Sequence, residues 1–445
     1  MRHGWRNSKS LALIIKQAIS HHFFIMNRPP KILIVAPNAS SKFGGESFLP
    51  LKYFQILHSR GLPVKLIAHA RNRDDLRELL GGSLKDVSFI EDTVFHRSVW
   101  KIGSRFPSVV RDTIFRTLLN MVNERFQARL IRSFIAAGDV DVIHQPIPVS
   151  PLAPSGIHGF GVPVVIGPMN GGMTYPQGYG YLESAKTRRF VALSRKLAFA
   201  INRLLPGKRK AAALVVANER TRRALPFPEH ANIITLVENG VDLGTWAQSA
   251  TKTLRSLDKP FKLVFMGRLV GWKAVDITLQ ALCVARAAGE DVELDILGDG
   301  PERASLEARV AELGLGDAVH FLGFQSQAEC AKRLENADAL ILNSVWECGG
   351  AVVLEAMAMK LPVIGPDWGG PADYVDESCG VLVSPEPRDD FADRLAAAIL
   401  RLAGDPVLCQ RMGEAGAEKI RTEFDWEKKV DRMLDIYASV SAGTT

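Results

Sequence analysis

The sequence predicts an α/β protein built from two doubly wound domains in series. Short apolar runs rich in Val, Ile and Leu alternate with helical patterns along most of the chain. That alternation is the mark of parallel sheets covered on both faces. It pauses at Asn239-Gly-Val-Asp242, which is turn chemistry suited to a hinge, and then restarts. At 445 residues the chain is also too long for one ordinary core.

Taken in order, the first strand reads at Ile32-Leu-Ile-Val-Ala36, followed by Phe43-Gly-Gly-Glu46 and a helical pattern to about His58. This is a βα unit with Gly44 and Gly45 at its turn; a plain tight turn has the same spelling. Further strands read at Val64–Ala68, Val87–Ile90, Val140–His144, Val162–Ile166, Leu214–Ala217 and Ile233–Leu236. After the hinge they read at Phe261–Phe265, Val292–Ile296, Val319–Leu322, Ala339–Leu342, Pro362–Ile364 and Gly380–Val383. In sheets of this kind ligands bind beyond the carboxyl ends of strands, and a cleft is expected between two such domains. Glycine and charge signals follow four strands of the second half: Gly267-Arg268, Gly298-Asp299-Gly300-Pro301, Glu347-Cys-Gly-Gly350 and Asp367-Trp-Gly-Gly370.

Composition bounds the function. The chain is 47% hydrophobic and 23% charged, as soluble globular proteins are, and its net charge of +7 favours an acidic partner or surface. Cys283, Cys330, Cys348, Cys379 and Cys409 are scattered without C-x-x-C pairs. That speaks against a disulfide framework or structural zinc site and fits a reducing cytoplasm. No apolar run reaches the ~18 residues of a spanning helix. Residues 1–28 read as a leader or tail: basic Arg2, Arg6 and Lys9 precede Leu11–Ile15 and Phe23–Met26, but no small-residue cleavage site follows. Met26, just before the first strand, is read as the natural start, with a disordered or membrane-touching tail as the alternative.

The stretch Glu347-Cys-Gly-Gly-Ala-Val-Val-Leu-Glu355 draws the most attention. An apolar strand leads into two bare glycines, and the residues from Ala351 favour helix. Such a turn aims free backbone N–H groups of Gly349, Gly350, Ala351 and Val352 at one spot that suits a phosphate or a hydroxyl. An ordinary strand–helix connection with two surface acids has the same spelling.

With these motifs together the sequence resembles the retaining glycosyltransferases of family 4, which have the GT-B fold. The resemblance is carried by Glu347…Glu355 as an E-x7-E motif followed by Ala356-Met-Ala358, Gly267-Arg-Leu269 followed by Lys273, Gly298-Asp-Gly-Pro301, Asn239-Gly-Val-Asp242, and Gly44-Gly45. His144-Gln-Pro146 and Gly167-Pro-Met-Asn-Gly-Gly-Met173 resemble a bacterial branch acting in exopolysaccharide assembly. The family often has Lys-Gly where this chain has Lys273-Ala274. The resemblance implies an acceptor-binding domain over 29–240 and a nucleotide-sugar domain over 241–425, facing a cleft. It also implies a last helix over 426–445 that crosses back to the first domain.

The resemblance further implies chemistry. A nucleotide-sugar loses a diphosphate whose growing charge must be stabilised. Asp139-Val-Asp141 spells a metal-binding Asp-x-Asp but opens a strand, and a solvated strand start is the preferred reading. The positive charge is therefore assigned to Arg268, a planar fork, and Lys273, a point charge, with a merely solvated pair as the alternative. Gly44, Gly45, Gly298, Asp299, Gly300, Gly349, Gly350, Ala351 and Val352 are expected to border the donor. Glu355 is expected to accept from the ribose hydroxyls, and Glu347 to lie beside the donor sugar. His144 is assigned to contact with the donor sugar or acceptor, with a structural strand-end role as the alternative. Asn170, Gly171 and Gly172 are assigned to an acceptor-side loop, with a surface loop as the alternative.

The function expected from all this is a retaining, metal-independent glycosyltransferase needing no cofactor beyond its nucleotide-sugar. Its acceptor is an oligosaccharide, expected to be lipid-linked, and nucleic acid is not expected as a partner. The alternatives are an epimerase or phosphorylase on the same fold, or a non-catalytic nucleotide-sugar-binding subunit. Two basic segments interleaved with apolar residues, Lys186–Lys210 and Arg105–Arg132, suggest an anionic membrane surface as partner and the inner face of the cytoplasmic membrane as location. Apolar stripes packed on the first sheet, with solvated basic residues, are the alternative.

Overall fold

The computed structural model describes residues 28–42, 45–107, 110–246 and 254–442. Residues 1–27 of the leader and Gly44 therefore lie outside the described residues. Among the described residues thirteen strands form, and each is one the sequence predicts, with bounds that agree to within three residues. The first seven are β1 (Ile32–Val35), β2 (Val64–His69), β3 (Val87–Ile90), β4 (Val142–Gln145), β5 (Val164–Met169), β6 (Ala213–Val216) and β7 (Ile233–Thr235). They make one parallel sheet in the order β3-β2-β1-β4-β5-β6-β7. The other six are β8 (Phe261–Met266), β9 (Val292–Leu297), β10 (Val319–Gly323), β11 (Ala339–Ile341), β12 (Val363–Pro366) and β13 (Gly380–Val383). They make a second parallel sheet in the order β10-β9-β8-β11-β12-β13.

Central strands such as β1, β4, β5 and β6 are buried at every residue, which is why they read as unbroken apolar runs rather than alternations. Strand order reverses direction between β1 and β4, and again between β8 and β11. At such a switch point the connections leave to opposite sides and open a crevice at the carboxyl ends of the strands.

The helices between strands have legible causes. Asp405 caps the helix Pro406–Lys419 by accepting from Leu408 N–H at 2.9 Å, with proline at the first helical position. Asn218 does the same for Thr221 N–H at 2.8 Å. Asp141 accepts from Lys31 N–H at 2.9 Å and lies 3.2 Å from Arg28, while Asp139 pairs with Lys65 at 3.2 Å. These acids thus tie the amino end of β4 to those of β1 and β2 rather than standing solvated.

The chain divides into two compact units. The first takes the described residues up to Met169, Ser194–Leu236 and Val430 onward; the second takes Asn170–Leu193 and Val237–Lys429. The last helix, Trp426–Ala442, therefore ends in the first unit. Val430, Met433, Ile436, Tyr437 and Val440 form its buried stripe at helical spacing. Each such side chain contributes on the order of 1.5–3 kcal/mol by burial. The segment Asn170–Leu193 departs from the single boundary near 240 read from the sequence. It is tied to the second unit by Trp368 Nε1–H donating to Thr174 carbonyl at 3.0 Å and by Tyr179 hydroxyl donating to Pro385 carbonyl at 3.3 Å.

Candidate functional site

The candidate site is built at the β8/β11 switch point of the second unit. After β8 the chain passes Gly267 and Arg268 and makes a short turn, Gly271-Trp-Lys273. Ala274 then adopts a left-handed backbone, φ 50°, and the helix Val275–Ala287 begins. Ala274 thus holds the conformation a glycine would hold in the family's Lys-Gly spelling, at a cost of about 1–2 kcal/mol for the methyl group. Two bonds fasten this turn to the end of β11. Asn343 Nδ2–H donates to Ala274 carbonyl at 2.7 Å, and Val345 N–H donates to Trp272 carbonyl at 2.9 Å. Asn343 is itself held by Thr278, whose hydroxyl donates to Oδ1 at 2.7 Å. None of Asn343, Thr278 or Val345 is named by motif reading; a buried Asn directly after an apolar strand is the one local signal.

The fastening brings Lys273 to Glu347. Its Nζ donates to the Glu347 carboxylate, and both side chains are mostly sequestered, at 14% and 18% exposure. A Cβ on Gly267 would lie 3.7 Å from Lys273 Nζ. Arg268, next to that glycine, is exposed.

Glu347 leads into Gly349 and Gly350, and Gly350 at φ 85° starts the helix Ala351–Ala358 with no side-chain cap. The first N–H groups of that helix are therefore left without an intrahelical acceptor. Glu355, one turn on, is half-buried. Burial raises its carboxyl from the usual range to about 7, and among the described residues it has no ion-pair partner.

Gly298 and Gly300 are explained by close backbone approach. A Cβ on Gly298 would meet Gly267 carbonyl at 1.9 Å, and one on Gly300 would meet Leu269 carbonyl at 2.2 Å. These glycines press the loop after β9 onto the loop after β8. Asp299 is exposed and accepts from Gly300 N–H at 2.7 Å.

Asn170 and Gly171 lie in the second unit rather than in the domain to which the sequence assigns them. Asn170 Nδ2–H donates to Cys348 carbonyl at 2.8 Å and to Glu238 Oε1 at 2.7 Å, which places Asn170 directly against the Glu347 turn. Gly172 is exposed at φ 75°. Such contacts join residues far apart in sequence, and local pattern carries no trace of them.

In the first unit, Gly45 starts the helix Gly45–Ser59, with nothing within 4 Å of a Cβ built on it. The next residue, Glu46, accepts from Val149 N–H at 2.8 Å. His144 sits differently from its expected sugar contact. It is wholly buried, with Nε2–H donating to Gly167 carbonyl at 2.7 Å and Nδ1 accepting from Tyr437 hydroxyl at 2.7 Å. Burial lowers its pKa to about 4, so the ring is neutral. This is the geometry of the structural strand-end histidine.

His69, Asp92 and His96 are close enough to share a cation. Both histidine Nδ1 atoms already accept from backbone N–H groups, of Arg71 and Thr93, at 3.2 Å each. His69 Nε2 instead lies 3.3 Å from Asp92.

The basic segments divide. Phe126 and Leu130 pack against the first unit's core, the apolar-stripe alternative, and Lys208 is buried with Nζ–H donating to Pro151 carbonyl at 2.6 Å. Exposed apolar residues appear instead on the helix Val94–Gly103, where Trp100 is 61% exposed beside Arg97 and Lys101, and on the helix Ala185–Leu204, where Leu204 is 80% exposed. Among the described residues no helix is long and apolar enough to cross a membrane.

The fold is shared with known structures. Anabaena Alr3699/HepE in complex with UDP superposes with a TM-score of 0.63 at 18% identity, covering 92% of this chain and 100% of that one. The apo form of the lipopolysaccharide outer core galactosyltransferase WaaB superposes at 0.61, with 18% identity, 92% of this chain and 99% of that one. The fold is GT-B. In sequence, the chain is 36% identical over 177 residues to the lipopolysaccharide core biosynthesis glycosyltransferase LpsD of Rhizobium meliloti, covering 40% of this chain and 49% of that protein. It is 29% identical over 241 residues to the alpha-D-kanosaminyltransferase of Streptomyces kanamyceticus, covering 52% and 61%. The chain thus spans about half the length of the curated relatives it matches. Residues 248–419, the stretch that holds Arg268, Lys273, Glu347 and Glu355, match the family model described as Glycosyl transferases group 1.

Proposed function

We propose that this protein is a retaining glycosyltransferase that moves a sugar from a nucleotide-diphosphate sugar to an oligosaccharide acceptor, lipid-linked, in cell-surface glycan synthesis. One observation carries the reading. The Lys273–Glu347 pair stands at a strand switch point beside an uncapped helix start and the unpaired carboxyl of Glu355. A cation and open N–H groups suit a diphosphate, and a carboxyl raised by burial is one that a ribose hydroxyl pair would satisfy.

In the reaction proposed, the bond between the sugar's anomeric carbon and the diphosphate oxygen breaks while the acceptor oxygen bonds to the same face of that carbon. The acceptor's proton passes to the departing diphosphate. Lys273, Arg268 and the N–H groups of Gly350 to Val352 stabilise the charge gathering on the leaving group, so no metal is required. Glu347 orients the donor sugar and holds Lys273 in place. The first unit binds the acceptor, with Gly45 giving room at the start of its helix. The exposed Trp100 and Leu204, among basic neighbours, would rest on the anionic inner face of the cytoplasmic membrane.

The test is a thermal-shift screen of UDP-, GDP- and ADP-sugars, followed by transfer assays with membrane extracts as acceptor and with or without EDTA. A ligand at 100 times its Kd stabilises by roughly 2.7 kcal/mol. The reading holds if one nucleotide-sugar stabilises the protein and is consumed only with acceptor present. Epimerised donor, a requirement for free phosphate, or binding without turnover would overturn it.

A further inference from the structure

Beneath the glycine turn that follows Glu347 lies a set of buried polar side chains to which the proposed reaction gives no part. Glu238 is buried, and its Oε1 accepts from two side-chain amides, Asn170 at 2.7 Å and Asn239 at 3.1 Å. Each amide has a second bond to offer. Asn170 also donates to Cys348 carbonyl at 2.8 Å, and Asn239 to Tyr374 hydroxyl at 3.1 Å. The turn presses directly on this set: a Cβ on Gly349 would lie 2.3 Å from Asn239 Nδ2 and 2.5 Å from Glu238 Oε1. From the other side, Gly370 N–H donates to Glu347 carbonyl at 2.8 Å.

A carboxyl in this place is costly. Burial raises the Glu238 pKa, and its Oε2 has no hydrogen-bond partner among the described residues. The charge of buried Lys429 offsets only part of that cost, since burial still keeps the pKa raised. What the carboxyl offers instead is one oxygen that fixes two amides at once. Those amides fix a backbone that, being glycine, has no side chains of its own to pack. We infer that Glu238, Asn170 and Asn239 are positioning residues: a buried clamp that holds the Glu347–Gly350 backbone in the conformation the reaction needs. The inference rests on the function proposed above, in which a misplacement of about 1 Å in this turn would cost roughly 10²-fold in rate.

Two measurements on the full chain decide it. The first is amide hydrogen exchange of the ligand-free protein, read on peptides covering residues 345–354. Asn170→Ala and Glu238→Ala should speed exchange at the turn by about tenfold or more while the rest of the second unit keeps its protection. Glu238→Gln, which retains Oε1 as an acceptor, should stay close to wild type. The second is steady-state kinetics with whichever nucleotide-sugar the wild type uses. Asn170→Ala should lower kcat about tenfold or more with little change in donor KM, and this loss should largely vanish when Glu347→Gln is already present. Unchanged exchange at the turn in both alanine variants, or loss of protection across the whole second unit, overturns the clamp. So does a kcat loss that persists in full on the Glu347→Gln background. If Glu238→Ala does not fold, Asn170→Ala decides. If the wild type transfers no sugar from any donor, the proposed function fails while the exchange measurement still settles the clamp.

Discussion

Lys273 and Glu347, 74 residues apart, meet because β8 and β11 are neighbours in the second sheet, and the two side chains pair where little water reaches them. Breaking a sequestered pair leaves one charge uncompensated. Lys273→Ala should therefore do two things. It should lower turnover about 10²-fold or more, as loss of a preorganised charge does, and it should destabilise the protein by about 2 kcal/mol. The double variant Lys273→Met/Glu347→Gln should regain stability without regaining turnover. Denaturant unfolding beside a transfer assay separates the two effects; full activity in Lys273→Ala would remove the lysine from the reaction.

Glu355 offers a pH test. Its pKa is raised by burial to about 7 in the folded chain, against an ordinary carboxyl value of 4.5 when unfolded. Between those values the folded state holds more protons, so this group's contribution to stability falls as pH rises. The cost is absent below about pH 4.5 and complete above about pH 7. Glu355→Gln should consequently raise the melting temperature at pH 8, by an amount worth about 2 kcal/mol, and hardly change it at pH 4.5. If the carboxylate accepts from ribose, the same variant should weaken nucleoside diphosphate binding, and wild-type affinity should fall as pH drops through 7. Calorimetric titration at pH 6 and pH 8 measures both.

Ala274 occupies a left-handed backbone that favours glycine. Ala274→Gly relieves about 1–2 kcal/mol of strain but loses a buried methyl and loosens the unfolded chain, and these terms nearly cancel. It should be neutral to within about 1 kcal/mol. Ala274→Val, β-branched in the same conformation, should cost more than about 2 kcal/mol and lower turnover by displacing Lys273. Thermal unfolding of the two variants side by side is the check, and a well-tolerated valine would contradict the assigned geometry.

His144 and Tyr437 join the last helix to β4 through a buried hydrogen bond of 2.7 Å. Tyr437→Phe leaves Nδ1 of a fully buried ring without its donor, at a cost of about 1–3 kcal/mol. The expected result is lower stability with turnover per folded molecule unchanged. A pH-rate profile altered by Tyr437→Phe would instead return His144 to the chemistry.

The membrane reading predicts that the full chain floats with vesicles containing anionic lipid at low salt and less at high salt, since each Lys or Arg near such a surface is worth about 1 kcal/mol. Trp100→Ser with Leu204→Ser should cut the bound fraction severalfold. Equal flotation with neutral vesicles, or none at low salt, removes the membrane from the account.

The sequence by itself determined the elements. All thirteen strands and the four glycine signals after strands are local facts, written as apolar runs and turn residues whose meaning depends on a few neighbours. It also offered Lys273, Glu347 and Glu355 as candidates for the site. Tertiary structure alone decided which of them meet. Strand order set β8 beside β11 and so joined Lys273 to Glu347. It also turned His144, promising as a strand-end histidine, into a buried link to Tyr437, and took Asn170 into the second unit beneath the Cys348 carbonyl. It set Glu238 against Gly349, although no motif reading names it. The reason is physical: hydrogen bonds and ion pairs between residues tens to hundreds of positions apart depend on how sheets order their strands and which loops they crowd together, and periodicity along a chain records which face is buried but not against what.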